Sequence, residues 1–134
     1  MIQFSIAYVF TAIIFFALDY VWLTRIANDF YLRQIGTLLL DQPKLAAAGL
    51  FYVFYVAGIV FFAVLPALRD QSWTMALFAG ALFGALAYGT YDMTNYATLK
   101  NWPLAVVFAD IAWGTTLTGI SALAGYGLSR AFGG

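Results

Sequence analysis

YGTYDMTNYATLKNWPLAVVFAD, residues 88–110, is a short polar passage set between two long apolar runs. It carries Asp92 and Asp110, Asn95 and Asn101, three tyrosines (Tyr88, Tyr91, Tyr96), Lys100 and the pair Trp102-Pro103. Apolar sequence of bilayer length on both sides makes this passage a hairpin between two membrane-crossing helices. Thr98–Trp102 is its tight connector. Pro103 stands in the first turn of the following helix, where its missing N–H costs nothing.

Working outward, the third span runs from about Trp73 to Ala97 and the fourth from about Pro103 to Leu128, with Ser129–Gly134 as a short tail. Gly80 and Gly84 form a G-x-x-x-G, continued by Ala81, Ala85 and Gly89. Small residues at this spacing let helix backbones approach closely in lipid, and the expected neighbour is a helix of the same chain. Arg69–Ser72 is a turn. Before it, Leu45–Leu68 holds no charge and forms the second span, with Phe51, Tyr52, Phe54 and Tyr55 at its start, where an aromatic belt belongs. The first span is Ile2–Trp22, interrupted by Asp19; at about 31 Å it is long enough to cross a hydrocarbon core of about 30 Å. No Lys or Arg precedes it and no small-residue cleavage site follows, so it reads as a retained span rather than a signal peptide.

Thr24–Lys44 is the longest connector. Arg25, Asp29 and Arg33 recur every four residues, while Ile26, Phe30, Tyr31, Ile35, Leu38 and Leu39 fall at helical spacing on another face. The pattern predicts an amphipathic helix lying at the membrane surface, with Phe30, Ile35 and Leu39 turned to lipid, ended by Asp41-Gln42-Pro43. The expected fold is therefore all-α: one domain over residues 1–134, a polytopic membrane protein with four transmembrane helices plus an amphipathic interfacial helix between spans one and two.

Composition agrees. The 134 residues are 64% hydrophobic and only 9% charged, with a mean hydropathy of +0.88. Soluble domains are about half apolar and about a quarter charged. Net charge is zero, which argues against nucleic acid as a partner. The chain has no cysteine, histidine or glutamate, which excludes thiol and imidazole catalysis and histidine ligation of zinc or haem. No metal site and no cofactor is expected. Side-chain carboxylate chemistry rests on the six aspartates.

Three of them, Asp19, Asp92 and Asp110, lie inside spans. Each is roughly 9–12 Å inside its boundary by helical rise. With four spans, all three boundaries fall on one side. An unpaired carboxylate facing lipid costs roughly 2.5 kcal/mol or more, so each must face protein, pair, or hold a proton. One polar site near one membrane face is expected. Tyr88, Asp92 and Asn95 share a helical face, Tyr91 is adjacent, and D-x-x-W occurs twice, as Asp19/Trp22 and Asp110/Trp113. An indole N–H can donate to a carboxylate. The candidate site is Asp19, Trp22, Tyr88, Tyr91, Asp92, Asn95, Asp110 and Trp113. Lys and Arg number four in the two connectors on that side (Arg25, Arg33, Lys44, Lys100) and two on the other (Arg69, Arg130). The positive-inside rule makes the former side cytoplasmic and both termini periplasmic.

Tyr91-Asp92-Met-Thr94-Asn95, the string Ala97–Leu104 and Asp110-Ile-Ala-Trp113-Gly114 resemble a family of small bacterial inner-membrane proteins catalogued as a domain of unknown function. The resemblance extends over nearly the whole chain, including Ile35-Gly36, Pro43 and Phe61–Leu68. It implies a four-helix protein of the bacterial inner (plasma) membrane and no particular activity.

Three functions compete. The first is proton-linked transport or flipping of a small or lipid-like solute through the aspartate site. The second is a non-catalytic subunit or assembly factor of a larger membrane complex, or a homo-oligomer, which calls for a filled interior. The third is a lipid-acting enzyme with Asp92 or Asp110 as general base. It has few tools without His, Cys or Glu, so catalysis is the less favoured class. The bilayer is the partner common to all three.

Overall fold

Lipid offers the backbone no hydrogen-bond partner, so apolar runs of this length close their bonds within helices. The structure, a computed structural model, describes residues 2–133. Helix α1 (Ile2–Val21) continues through a π-helical turn, Trp22–Ile26. A short helix α2 (Asn28–Ile35) follows. Next come α3 (Leu45–Ile59), a second π-helical turn (Val60–Val64) and α4 (Leu65–Asp70), which together make one rod. The last helices are α5 (Trp73–Thr98) and α6 (Leu104–Phe132). Four stretches are long and apolar enough to cross a membrane: Ile2–Ile26, Leu45–Asp70, Trp73–Thr98 and Leu104–Phe132. No strand occurs among the described residues. This is an all-α polytopic membrane protein.

Helix α6 is the axis of the molecule. Helix α5 packs antiparallel along it, and α1 packs antiparallel on another side. Small residues make the first contact possible. A Cβ on Gly80 would stand 2.7 Å from the Ala122 Cβ and 2.9 Å from the Thr118 carbonyl, and one on Gly84 would overlap the Gly114 carbonyl. From the α6 side, Gly114 makes room for the Tyr88 ring and Gly125 for Thr11 of α1. The G-x-x-x-G thus serves packing within the chain. Gly89 departs from the pattern, with nothing within 4 Å of its Cβ position. Five residues past Gly84, it is turned by about 140° around the helix and faces away. The α3–α4 rod completes the core with Tyr55, Val56, Ile59, Val60, Ala63 and Val64. Its first turns, from Leu45 to Phe54, stand away from the bundle, with Tyr52 alone partly covered.

The two ends differ. At one, Gln71 takes a left-handed conformation (φ 52°) to close the α4–α5 turn, and the Ser72 hydroxyl caps α5 by accepting from the Met75 N–H at 3.1 Å. Gln3, Leu68, Ser129 and Arg130 surround the same turn. At the other end, α2 and the 99–103 connector meet over the start of α6.

Three expectations need correction. The connector helix does not run from Thr24 to Leu40. Residues as far as Ile26 belong to the first span, and α2 stops at Ile35. Glycine is a poor helix former, about 1 kcal/mol worse than alanine, and Gly36 is followed by a β-branched threonine. Of the apolar face expected to turn to lipid, Leu39 is exposed, Phe30 is partly covered and Ile35 is buried. Ile35 packs against Trp102, Val106 and Val107, with Phe30 and Tyr31 beside it. Protein offers that face closer packing than the interface does. Finally, the expected tail from Ser129 is helical to Phe132; Gly134 lies outside the described residues.

Candidate functional site

Five segments bring polar groups to one level of the bundle. Helix α1 contributes Asp19, and its π-helical turn contributes Trp22. Helix α2 adds Tyr31, α5 adds Tyr88 and Asp92, and α6 adds Asp110 and Trp113. The π-helical turn is defined by the Ala27 N–H donating to the Trp22 carbonyl at 2.8 Å. Such turns change the phase of a helix, and they recur at functional sites. Here the widened turn carries the Trp22 ring onto Trp113, with centroids 4.4 Å apart and planes 6° from parallel.

The two D-x-x-W pairs are crossed rather than paired within their own helices. Trp113 Nε1 donates to Asp19 Oδ1 at 3.2 Å, from α6 to α1. Trp22 Nε1 donates to the Tyr31 hydroxyl at 3.3 Å, and that hydroxyl donates to Asp110 Oδ1 at 2.7 Å. The stacked indoles therefore join two carboxylates through one aromatic and hydrogen-bonded chain. Tyr52 also faces Asp19, and the Asp19 and Asp110 carboxylates lie close enough to repel. Burial and the adjacent Asp110 carboxylate push the Tyr31 phenol above its ordinary range, which keeps it a donor.

Asp92 is different. It is fully buried, yet neither carboxyl oxygen has a hydrogen-bond partner. Asp110 and the Trp102 indole lie beside it without closing to a bond, and Trp102 Nε1 is likewise buried and unpartnered. Buried polar groups are normally satisfied, and here an unmet acceptor and an unmet donor lie side by side.

Of the three acids, Asp110 opens onto a cleft of about 580 Å³ between α3 and α5, while Asp19 and Asp92 are buried behind it. Phe51, Tyr52 and Tyr55 form one wall, Tyr88, Tyr91 and Thr94 the other, and Asp110 the floor. Tyr55 is anchored by a 2.8 Å hydrogen bond between its hydroxyl and that of Thr118. The cleft exists because the first turns of α3 stand off from α5.

A family model described as Predicted membrane protein (DUF2177) matches residues 4–127. The chain belongs to this family. No curated protein and no solved structure matches it. In this DUF2177 member the matched region contains the whole aspartate site and both walls of the cleft.

Of the residues marked in the sequence, Asp19, Trp22, Tyr88, Asp92, Asp110 and Trp113 come together. Tyr91 is half exposed on the cleft wall and meets Trp102 edge to face at 5.8 Å. Asn95 lies against Tyr91, one turn away from Asp92. Tyr31, Tyr52 and Trp102 escaped the sequence reading. In sequence the first belongs to an apolar face, the second to an aromatic belt and the third to a turn. A signal did exist, since all three aromatics carry a polar tip and sit in the segments that flank the acidic level. Among the described residues, no three acidic side chains group closely enough to hold a metal ion.

Proposed function

We propose that this protein carries an amphipathic, lipid-like solute between membrane and water, with protons exchanged at Asp19, Asp92 and Asp110. The observation that supports this most is the side-opening cleft. Its volume of about 580 Å³ suits a small ligand, its walls are aromatic, and its floor is a carboxylate. A solute entering from lipid would offer its head to Asp110 among the aromatic walls and leave its tail toward lipid. Carboxylates without basic partners can take up and release protons as the head comes and goes. A subunit without a binding role calls for a filled interior, and the cleft favours transport over that reading. The chemistry favours transport over catalysis too, because the site holds no His, Cys or Glu.

The proposal includes the place and direction of the site. The family resemblance supports a bacterial inner membrane. The four-to-two excess of Lys and Arg supports a cytoplasmic position for the acidic end, with both termini periplasmic. The test uses proteoliposomes holding a fluorescent phospholipid, with its transfer between leaflets followed by dithionite quenching under an imposed pH gradient. Wild-type protein should speed transfer over empty vesicles, and more so with the gradient. Asp92→Asn and Asp110→Asn should insert and fold normally yet fall to the empty-vesicle rate. Transfer by both variants at the wild-type rate would sink the proposal.

A further inference from the structure

The cleft and the acidic site have a charge problem that the chain does not solve. Three carboxylates converge there, and no cationic side chain joins them. All six Lys and Arg residues are exposed. The ion pair among the described residues, Arg69 with Asp70 at 3.9 Å, belongs to the opposite end. The donors that do reach the acids are neutral: the Trp113 indole on Asp19 and the Tyr31 phenol on Asp110. Asp92, fully buried, has none. A buried carboxylate that gives up its proton stays charged only when it is paired, and a cation for it would come from outside the chain.

The cleft walls say what kind of group would supply it. Tyr52, Tyr55, Tyr88, Tyr91 and Phe51 line the space above Asp110. Aromatic faces carry negative electrostatic potential and attract cations, most of all alkylated ammonium groups that shed water easily. An anionic head would be repelled by every acid in the site. A neutral, hydroxyl-rich head could bond the carboxylates but would leave their charge unbalanced.

We infer that the cleft between α3 and α5 binds an alkylammonium head group, seated on Asp110 and enclosed by the tyrosine faces, with its apolar tail toward lipid. This rests on the cleft being a solute site, as proposed above, and adds the class of solute. The ammonium can belong to a free organic cation or to an aminated phospholipid, and both present the same chemistry to the site.

The experiment measures equilibrium binding of octyltrimethylammonium, octyl sulfate and octyl glucoside to the protein in lipid nanodiscs, corrected by empty discs. The ratio of wild-type to Asp110→Asn affinity cancels partitioning into the lipid. In phosphatidylglycerol discs that ratio should be about tenfold or more for octyltrimethylammonium, a single ion-pair's worth, and near one for the other two. In phosphatidylethanolamine discs the ratio is retained if a free cation is the natural occupant. It collapses if the lipid's own ammonium fills the site. An octyltrimethylammonium ratio near one in phosphatidylglycerol discs overturns the inference, as does an equal ratio for octyl glucoside or octyl sulfate. Should Asp110→Asn fail to fold, Tyr91→Leu decides, because that position is half exposed and leucine keeps its bulk. Unchanged octyltrimethylammonium affinity there overturns the inference. Failure here is separable from failure of the transport reading. Asp110-dependent binding of a neutral or anionic amphiphile leaves a solute cleft with another preference, whereas no binding by any of the three removes both.

Discussion

Adding one methyl group at Gly84 tests the helix pairing on which the site depends. Alanine there places its Cβ into the Gly114 carbonyl and 2.7 Å from the Thr118 Cβ and Oγ1. The Gly114 oxygen is backbone and cannot swing aside. Overpacking of this kind costs about 1–3 kcal/mol, and a backbone obstacle puts Gly84 near about 3. Alanine returns about 1 kcal/mol through its better helix propensity, leaving a net loss of about 2. Gly89 on the same helix is the control. With open space around its Cβ position, Gly89→Ala should keep the propensity gain alone, about 1 kcal/mol. The two variants should thus differ by about 3 kcal/mol, or about a hundredfold in the unfolding equilibrium. Reversible unfolding in mixed micelles, titrated with dodecyl sulfate and followed by circular dichroism, measures the difference. If Gly84→Ala proves as stable as Gly89→Ala, the close α5–α6 contact is not what holds the bundle.

Two further outcomes follow from α2 and its surroundings. Tyr31 has a raised phenol, so above pH of about 10 the unfolded chain loses this proton while the folded one retains it. The stability advantage of wild type over Tyr31→Phe should therefore be constant below about pH 10 and shrink above it; an advantage that does not change with pH refutes the buried hydrogen bond to Asp110. Single cysteines at Lys44 and Lys100 should react with a membrane-impermeant reagent from the cytoplasmic side and one at Ser72 from the other, while one at Ile35 stays protected under Trp102 and Val106. Labelling of Ser72 from the cytoplasm reverses the orientation, and rapid labelling at Ile35 undoes the docking of α2.

Much of the fold is legible in the residues because lipid makes hydrophobic length a strong constraint. Four long apolar runs become four rods, and the observed boundaries differ from the expected ones mainly by helix carried on past Trp22 and Leu128. The carboxylate level was readable for the same reason, since helical rise and the cost of a lipid-facing acid need no tertiary knowledge. What could not be read was rotation. Whether Trp113 bonds Asp110 on its own helix or Asp19 across the bundle depends on helix phase, and the π-helical turn Trp22–Ile26 re-aims the residues after Asp19 without any mark in the sequence. The fate of α2 was hidden similarly. An apolar stripe such as Phe30, Tyr31 and Ile35 is equally suited to lipid or to protein, and the presence of Trp102 and Val106 beneath it decides. Gly89 continues the small-residue series in print, but its angle on the helix takes it out of the contact.

The central place of α6 bears on how the protein is made. Synthesis proceeds from the amino end, so the helix against which α1 and α5 both pack is delivered last among those described. Until it arrives, Asp19 lacks the Trp113 donor, Asp92 lacks its neighbour Asp110, and the glycines of α5 face nothing. The earlier spans therefore enter the bilayer bearing unmet acids and held only by their contacts with one another, a state in which partial insertion or removal by quality-control proteases competes with assembly. Locking of the bundle coincides with the last hairpin turning at Asn101, which takes the left-handed conformation (φ 63°) at that bend. A ribosome paused before α6 would hold three finished spans and an unlocked bundle.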